Sequence, residues 1–304
     1  MSELHWVALA TKTRAGGAAL RQLLRRYASI EAIFEASYQD LLRIPGIGPR
    51  TAASIANVDM DAAAAALSRC SYHNIHIVTF EDTDRYPSNL LLIPDAPPVL
   101  FTQGTLQPLD WRAVGIVGTR WPGSAGAEFA RLAAYELAAR GWAVVSGLAL
   151  GIDAAAHQGA LEAHEGRTLA VLGCGLLNLY PPQNSQLARD IQGAGAILSE
   201  LPPDAGVSAR RLLARNRITS GLSRAIIVVE AGEDSGSLAT ARRARKQGRA
   251  VYAVSGGDVG CEALIAQGAL PIEPQTVDWD ALSAQIAALP VQPPPDEPAQ
   301  MPLF

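Results

Sequence analysis

The chain has 304 residues, of which 49% are hydrophobic and 18% charged, with a formal net charge of −4. That length and composition allow a large buried core, divided between one main domain and a smaller one. No run approaches the roughly 18 apolar residues of a membrane span, and Met1–Ala10 lacks the basic start and apolar centre of a signal peptide, so a soluble cytoplasmic protein without a membrane partner is expected.

Residues 1–70 read as a small all-α module. Leu20, Leu23, Leu24 and Tyr27 recur at helical spacing, with little β-branched content. Within it, LLRIPGIGPRTAASIA (Leu41–Ala56) resembles a helix-hairpin-helix, with Gly46 and Gly48 in the turn and Pro49 opening the second helix. Such a turn either offers its amides to a DNA phosphate or serves as a packing and protein-contact module. From Ser71 to Leu109 the pattern changes to short extended pieces between turn residues, and the apolar Pro98–Phe101 predicts an edge extension of a sheet.

Residues 113–272 alternate strand and helix. Candidate strands are Val114–Val117, Ala143–Val145, Leu169–Leu172, Ala196–Leu198, Ile226–Val229 and Val251–Val254, with helices such as Ala127–Arg140 and Leu238–Gln247 stopped by Gly141 and Gly248. This predicts a Rossmann-like, doubly wound, mainly parallel α/β sheet across residues 71–275. Ligands bind such sheets beyond the carboxyl ends of the strands. The residues there are small or hydroxylic, as in Gly118-Thr119-Arg120, Ser146-Gly147, Gly173-Cys174-Gly175 and Ser235-Gly236-Ser237. The stretch Ala143–His157 (AVVSGLALGIDAAAH) organises the chain, because its glycine turn leads into a helix and leaves backbone amides free for an anion. An ordinary βα turn has the same composition. Asp153 and His157, one helical turn apart, are expected to hydrogen-bond and fix that turn, and Glu230 is expected to clamp an arginine.

None of these turns is GxGxxG or GxxxxGK[ST], which argues against a dinucleotide dehydrogenase and a P-loop ATPase. Cys70, Cys174 and Cys261 lie far apart without CxxC or Cys/His spacing, so buried thiols are expected, with no disulfide, metal or cofactor. Although the net charge is negative, residues 210–249 hold ten basic side chains against three acidic ones, and nine of the ten are arginine. A solvated surface would suit charge of this kind, but almost exclusive arginine favours bidentate phosphate contact. Residues 276–304 read as a short helix and then a Pro-rich acidic tail, VQPPPDEPAQMPLF.

The blocks GIVGTR (Gly115–Arg120), SGLALGIDAAAH (Ser146–His157), VLGCGL (Val171–Leu176), YPPQN (Tyr180–Asn184), RNRITSGLS (Arg215–Ser223), VVEAGEDSGSLATA (Val228–Ala241) and GCEALIAQGA (Gly260–Ala269) resemble, in order and spacing, the DNA-processing protein A family (DprA/Smf). The resemblance covers residues 72–272 and, more loosely, the helical module. It implies a fold that binds single-stranded DNA, forms a homodimer and helps load the RecA recombinase in transformation or recombinational repair, with no catalysis. Carried over by position, it implies DNA contacts at Gly118, Thr119, Arg120, Ser146, Gly147, Arg215, Asn216 and Arg217, and Arg167 stands where the family often has a basic residue. Ser235, Gly236 and Ser237, small and hydroxyl residues after a strand end, complete the expected DNA contacts, and Tyr180 is a nearby ring for base stacking. A dimer or RecA surface is implied at Leu264, Ile265 and Leu270.

Three departures stand out. RRLL precedes Arg215 where the family has an aromatic and a proline, Cys261-Glu262 replaces a small polar residue and Asn, and the usual C-terminal winged helix gives way to the acidic tail. That tail ends in Gln300, Met301, Pro302, Leu303 and Phe304, which resemble a sliding-clamp docking peptide, and single-strand-binding protein is a further candidate partner. The rival readings are a nucleoside-monophosphate phosphoribohydrolase on a related fold, which would need a carboxylate that Ser235–Ala241 lacks, and a protein-binding scaffold.

Overall fold

The computed structural model describes residues 2–290 apart from 14, 234 and 257. The candidate clamp peptide, Gln300–Phe304, lies outside the described residues. Six helices, Ser2–Lys12, Gly17–Arg26, Ile30–Glu35, Tyr38–Leu42, Pro49–Ala56 and Met60–Tyr72, build the N-terminal module. Ser29, Ser37 and Asp59 start three of them by accepting the amides of Ala32, Asp40 and Ala62, which satisfies donors that the first turn leaves unpaired. The hairpin glycines Gly46 and Gly48 are exposed, while Ile47 between them is buried and holds the turn to the module.

The module is seated directly on the sheet. Trp6, Leu20, Leu23, Ile33 and Ile55 belong to the same buried cluster as Val78, Phe101, Val171 and Leu198. Trp6 Nε1 donates to Glu81 at 2.9 Å, and Arg21 Nη2 donates to the carbonyls of Leu91 and Ile93 at 3.0 and 2.8 Å. The indole N–H of Trp6 and Nη2 of Arg21 are therefore satisfied by Glu81, Leu91 and Ile93, which lie between the first two strands of the sheet.

Among the described residues nine strands form one sheet: β1 (His76–Thr79), β2 (Val99–Gly104), β3 (Ala113–Val117), β4 (Ala143–Ser146), β5 (Arg167–Val171), β6 (Ala196–Ser199), β7 (Ala225–Val228), β8 (Ala250–Val254) and β9 (Leu270–Ile272). Their order is β1-β2-β6-β5-β4-β3-β7-β8-β9. From β6 to β9 all neighbours are parallel, and β2 and β1 add an antiparallel edge, where the apolar Pro98–Phe101 segment pointed. The six strands expected between 113 and 272 are present, and β9 is an additional one.

The topology fixes where a ligand can sit. The chain moves outward from β3 through β4 and β5 to β6, then returns to the other side of β3 to lay down β7. That reversal opens a crevice at the carboxyl ends of β3 and β7. One face of the sheet carries the helices Ser124–Ala139 and Ile152–Glu162, with Phe129, Ala133, Leu137, Trp142, Ile152 and Ala156 buried against Val114, Ile116 and Val144. The helix Trp279–Ala288 closes this face, and Trp142 Nε1 donates to Ser283 Oγ at 2.9 Å. On the opposite face Ile218 and Leu222, from the helix Ala209–Leu222, join the cluster shared with the N-terminal module.

Candidate functional site

At the β3/β7 crest lies a cleft of ≈ 290 Å³. Its lining comes from four elements: Gly118, Thr119, Arg120 and Trp121 after β3; Gly147, Ala149 and Asp153 after β4; Leu212, Leu213, Arg215, Asn216 and Thr219 on the helix Ala209–Leu222; and Ser235, Gly236, Ser237 and Thr240 at the start of the helix Gly236–Lys246. The structure thus brings together Gly118, Thr119, Arg120, Gly147, Arg215, Asn216, Ser235, Gly236 and Ser237 of the expected residues.

The loops are tied to one another before any ligand arrives. Thr119 N–H donates to Glu230 O at 2.7 Å, joining the β3 and β7 loops, and Ile152 N–H donates to Thr119 O at 3.1 Å, joining the β3 and β4 loops. Gly151 has φ +76°, and a Cβ there would lie 2.5 Å from Thr119 O, so only glycine fits this crossing.

Arg215 forms the floor. It is 8% exposed, and its Nη1 donates to Val171 O at 2.6 Å while Nε has no partner among the described residues. The guanidinium occupies the space over Gly147, where a Cβ would stand 1.7 Å from Nη1. Burial pushes its pKa down and the opposing charge of Asp153 pushes it back up, and a guanidinium remains protonated under such shifts. Asn216 Nδ2 donates to Gly236 O at 3.1 Å and so fixes the start of the helix Gly236–Lys246 beside it. Ser235 caps that helix through Leu238 N–H, and the Ser235 and Ser237 hydroxyls lie 2.6 Å apart. A buried cation, an exposed Arg120, hydroxyls and a helix N-terminus converge on one cleft.

Three expected contact residues lie elsewhere. Arg167 is the first residue of β5, so it sits at the amino end of the sheet, where its Nε and Nη2 donate to Asp110 Oδ1 and Oδ2, both at 2.8 Å. Arg217 points away from the cleft to Glu200 Oε2 at 2.6 Å and Asp95 Oδ2 at 3.2 Å. Ser146 is fully buried and its hydroxyl donates to Ile116 O at 2.6 Å, which leaves only its loop position at the crest.

The basic concentration at 210–249 divides in the same way. Arg217, Arg224 and Arg249 are spent inside the fold, with Arg249 Nη2 donating to Asn89 O at 2.9 Å and burial lowering its pKa to about 10, whereas Arg215 is buried at the base of the cleft. Arg210, Arg211, Arg242, Arg243 and Lys246 are exposed. RRLL at 210–213 belongs to the helix Ala209–Leu222, so Arg215 is presented from a rigid helix and not from a loop.

Two further expectations are corrected. Asp153 does not bond His157; its Oδ2 accepts Gly147 N–H at 3.1 Å and Ala149 N–H at 3.4 Å, which fixes the glycine turn directly. Desolvation raises the Asp153 pKa, with Arg215 acting against it. Glu230 accepts Gly123 N–H at 3.2 Å, ahead of the helix Ser124–Ala139, and clamps no arginine among the described residues. Tyr180 is 38% exposed and is not among the residues lining the cleft. The aromatic residue that lines it is Trp121, 81% exposed. Its signal was available, because an indole directly after Arg120 and before Pro122 sits on a strand-end turn. Of the expected partner surface, Leu264 is 4% exposed and packs inside the fold, whereas Leu270 on β9 is 46% exposed.

His157 is fully buried, its Nδ1 lies 2.6 Å from Thr168 Oγ1, and Thr168 Oγ1 donates to Val144 O at 2.8 Å. The hydroxyl proton is thus committed, so Nδ1 carries the proton of a neutral imidazole. Desolvation lowers the His157 pKa from 6.5 to about 3. The unfolded chain binds the proton at higher pH than the native one, so His157 contributes stability above pH 6.5 that is lost as pH falls towards 3. Urea midpoints should fall by the equivalent of about 3 kcal/mol between pH 7 and pH 4 from this group, and His157→Gln should flatten that part of the profile.

Residues 76–280 match the family described as DNA recombination-mediator protein A, and residues 14–65 match a helix-hairpin-helix motif. Protein Smf from Synechocystis is 36% identical over 299 residues, covering 95% of this chain and 74% of that protein. The matched stretches span between 46% and 74% of the curated relatives' own lengths. Among solved structures, DNA processing protein A from Streptococcus pneumoniae superposes with a TM-score of 0.75 at 31% identity, covering 90% of this chain and 95% of that one. DNA processing protein A from Helicobacter pylori, described for its single-stranded DNA binding mode, gives a TM-score of 0.61 at 29% identity, covering 70% and 96%. With the family match spanning the whole sheet that builds the cleft, the chain belongs to the DNA recombination-mediator protein A (DprA/Smf) family.

Proposed function

We propose that the cleft binds single-stranded DNA without regard to sequence, and that the protein acts as a non-enzymatic recombination mediator that protects single strands and helps load RecA. The observation that carries this reading is the convergence of Arg215, Arg120 and the N-terminus of the helix Gly236–Lys246 on one cleft. Guanidinium groups, amides and hydroxyls grip phosphate and do not read base edges, which suits a protein that must accept any strand. Asp153, the one acidic side chain among the described lining residues, is engaged with two backbone amides and so holds the glycine turn in place. A homodimer contact at Ile265 and Leu270 belongs to the same proposal, as do single-strand-binding protein and the sliding clamp as partners of the full chain.

The test is binding of a labelled oligothymidylate, beside a duplex of equal length, across a salt series for wild type and Arg120→Ala. With five phosphates neutralised, log affinity for the single strand should fall against log salt with a slope of about −3 to −4, and Arg120→Ala should flatten it by about 0.7. Lack of single-strand binding at low salt would remove the reading and move a small-nucleotide cleft ahead of it.

A further inference from the structure

The cationic floor explains attraction for any polyanion, but not why the rim of the cleft is apolar. Trp121 is 81% exposed, whereas Trp6 and Trp142 are each 1% exposed in the core. Leu213, on the helix Ala209–Leu222, is 51% exposed and lines the same cleft. The loop that holds the indole is rigidly tied. Trp121 N–H donates to Thr119 Oγ1 at 3.2 Å, Thr119 N–H is held by Glu230 O at 2.7 Å, and Gly123 N–H by the Glu230 carboxylate at 3.2 Å. Pro122 further confines the backbone of Trp121 to extended conformations. A fold that pins this loop at three points and leaves the ring in water is presenting the ring.

We propose that Trp121, with Leu213 from the neighbouring helix, is a base-stacking platform, so that the cleft distinguishes a strand bearing nucleobases from other polyanions. This rests on the single-strand reading above. Arg120, next in the chain, meets a phosphate while the adjacent base lies on the indole face, which alternates charge and ring along the strand as a polynucleotide does. Every base has a π-face, so the platform adds affinity without reading sequence.

The experiment compares oligothymidylate with an abasic phosphodiester strand of equal length, for wild type, Trp121→Ala and Trp121→Phe. Because the ring is exposed, all three should unfold at the same midpoint. Wild type is expected to bind the base-bearing strand about tenfold more tightly than the abasic one. Trp121→Ala should lose that difference while keeping the abasic affinity, and Trp121→Phe should retain most of it. Indole emission should be quenched to saturation by the base-bearing strand in wild type, and the quenching should vanish in Trp121→Ala. Equal wild-type affinity for the two strands would overturn the platform and leave single-strand binding standing, whereas failure to bind either strand would overturn both. A changed sedimentation coefficient in Trp121→Ala would assign the ring to a subunit contact and would also overturn it.

Discussion

Gly147→Ala is expected to reduce single-strand affinity by at least about tenfold, the loss of one buried charge-assisted contact, while the protein stays folded. The added methyl would stand 1.7 Å from Arg215 Nη1 and 2.4 Å from both Cζ and Nη2, so the guanidinium must leave the floor. The obstructing group is the end of a flexible side chain and not backbone, so the sheet need not move. The native state loses the bond from Nη1 to Val171 O, at a cost of about 1–3 kcal/mol. Titration of a labelled oligothymidylate with urea unfolding of the same sample separates the two effects. A variant that binds as tightly as wild type would show that Arg215 is not the floor of the site.

Arg167→Ala is expected to do the reverse. Arg167 grips Asp110 through two bonds of 2.8 Å, and the Asp110 side chain is 2% exposed. Removing the arginine strands a buried carboxylate, which costs about 3 kcal/mol or more and lowers the thermal midpoint by about 6 °C or more. Asp110→Asn in the same chain should recover part of that loss by removing the stranded charge. Binding by the folded fraction should keep the wild-type salt slope, because the residue lies at the amino end of β5, across the sheet from the cleft. A slope flattened by Arg167→Ala would put DNA at that end and contradict the site described above.

These two residues mark what the sequence can and cannot say. The strands were legible because each is a short apolar run ended by glycine, serine or a charged residue, and the cleft was legible because a parallel sheet sends ligands to the residues that follow its strands. Arg215 and Arg167 look alike in one dimension. What separates them is Asp110, 57 residues before Arg167 and closed against it only by the fold. Arg217 is likewise two residues from Arg215 yet turned by the helix towards Glu200 and Asp95. β9 leaves no pattern in the sequence because it is three residues long and holds a proline, which an edge strand tolerates. The seating of the N-terminal module on the sheet depends on pairs such as Trp6 with Glu81, which no local pattern announces.

The central claim is where the strand lies, and zero-length photo-crosslinking of a 4-thiothymidine-substituted oligonucleotide, followed by peptide mapping, reads it most directly. Crosslinks should fall within 118–121 and 212–216, the two stretches that bring Arg120, Trp121, Leu213 and Arg215 to the cleft, and should decline in Gly147→Ala. Crosslinks confined to the hairpin turn at 46–50, or to the Ile265 and Leu270 surface, would contradict the account and move the DNA off the crest of the sheet.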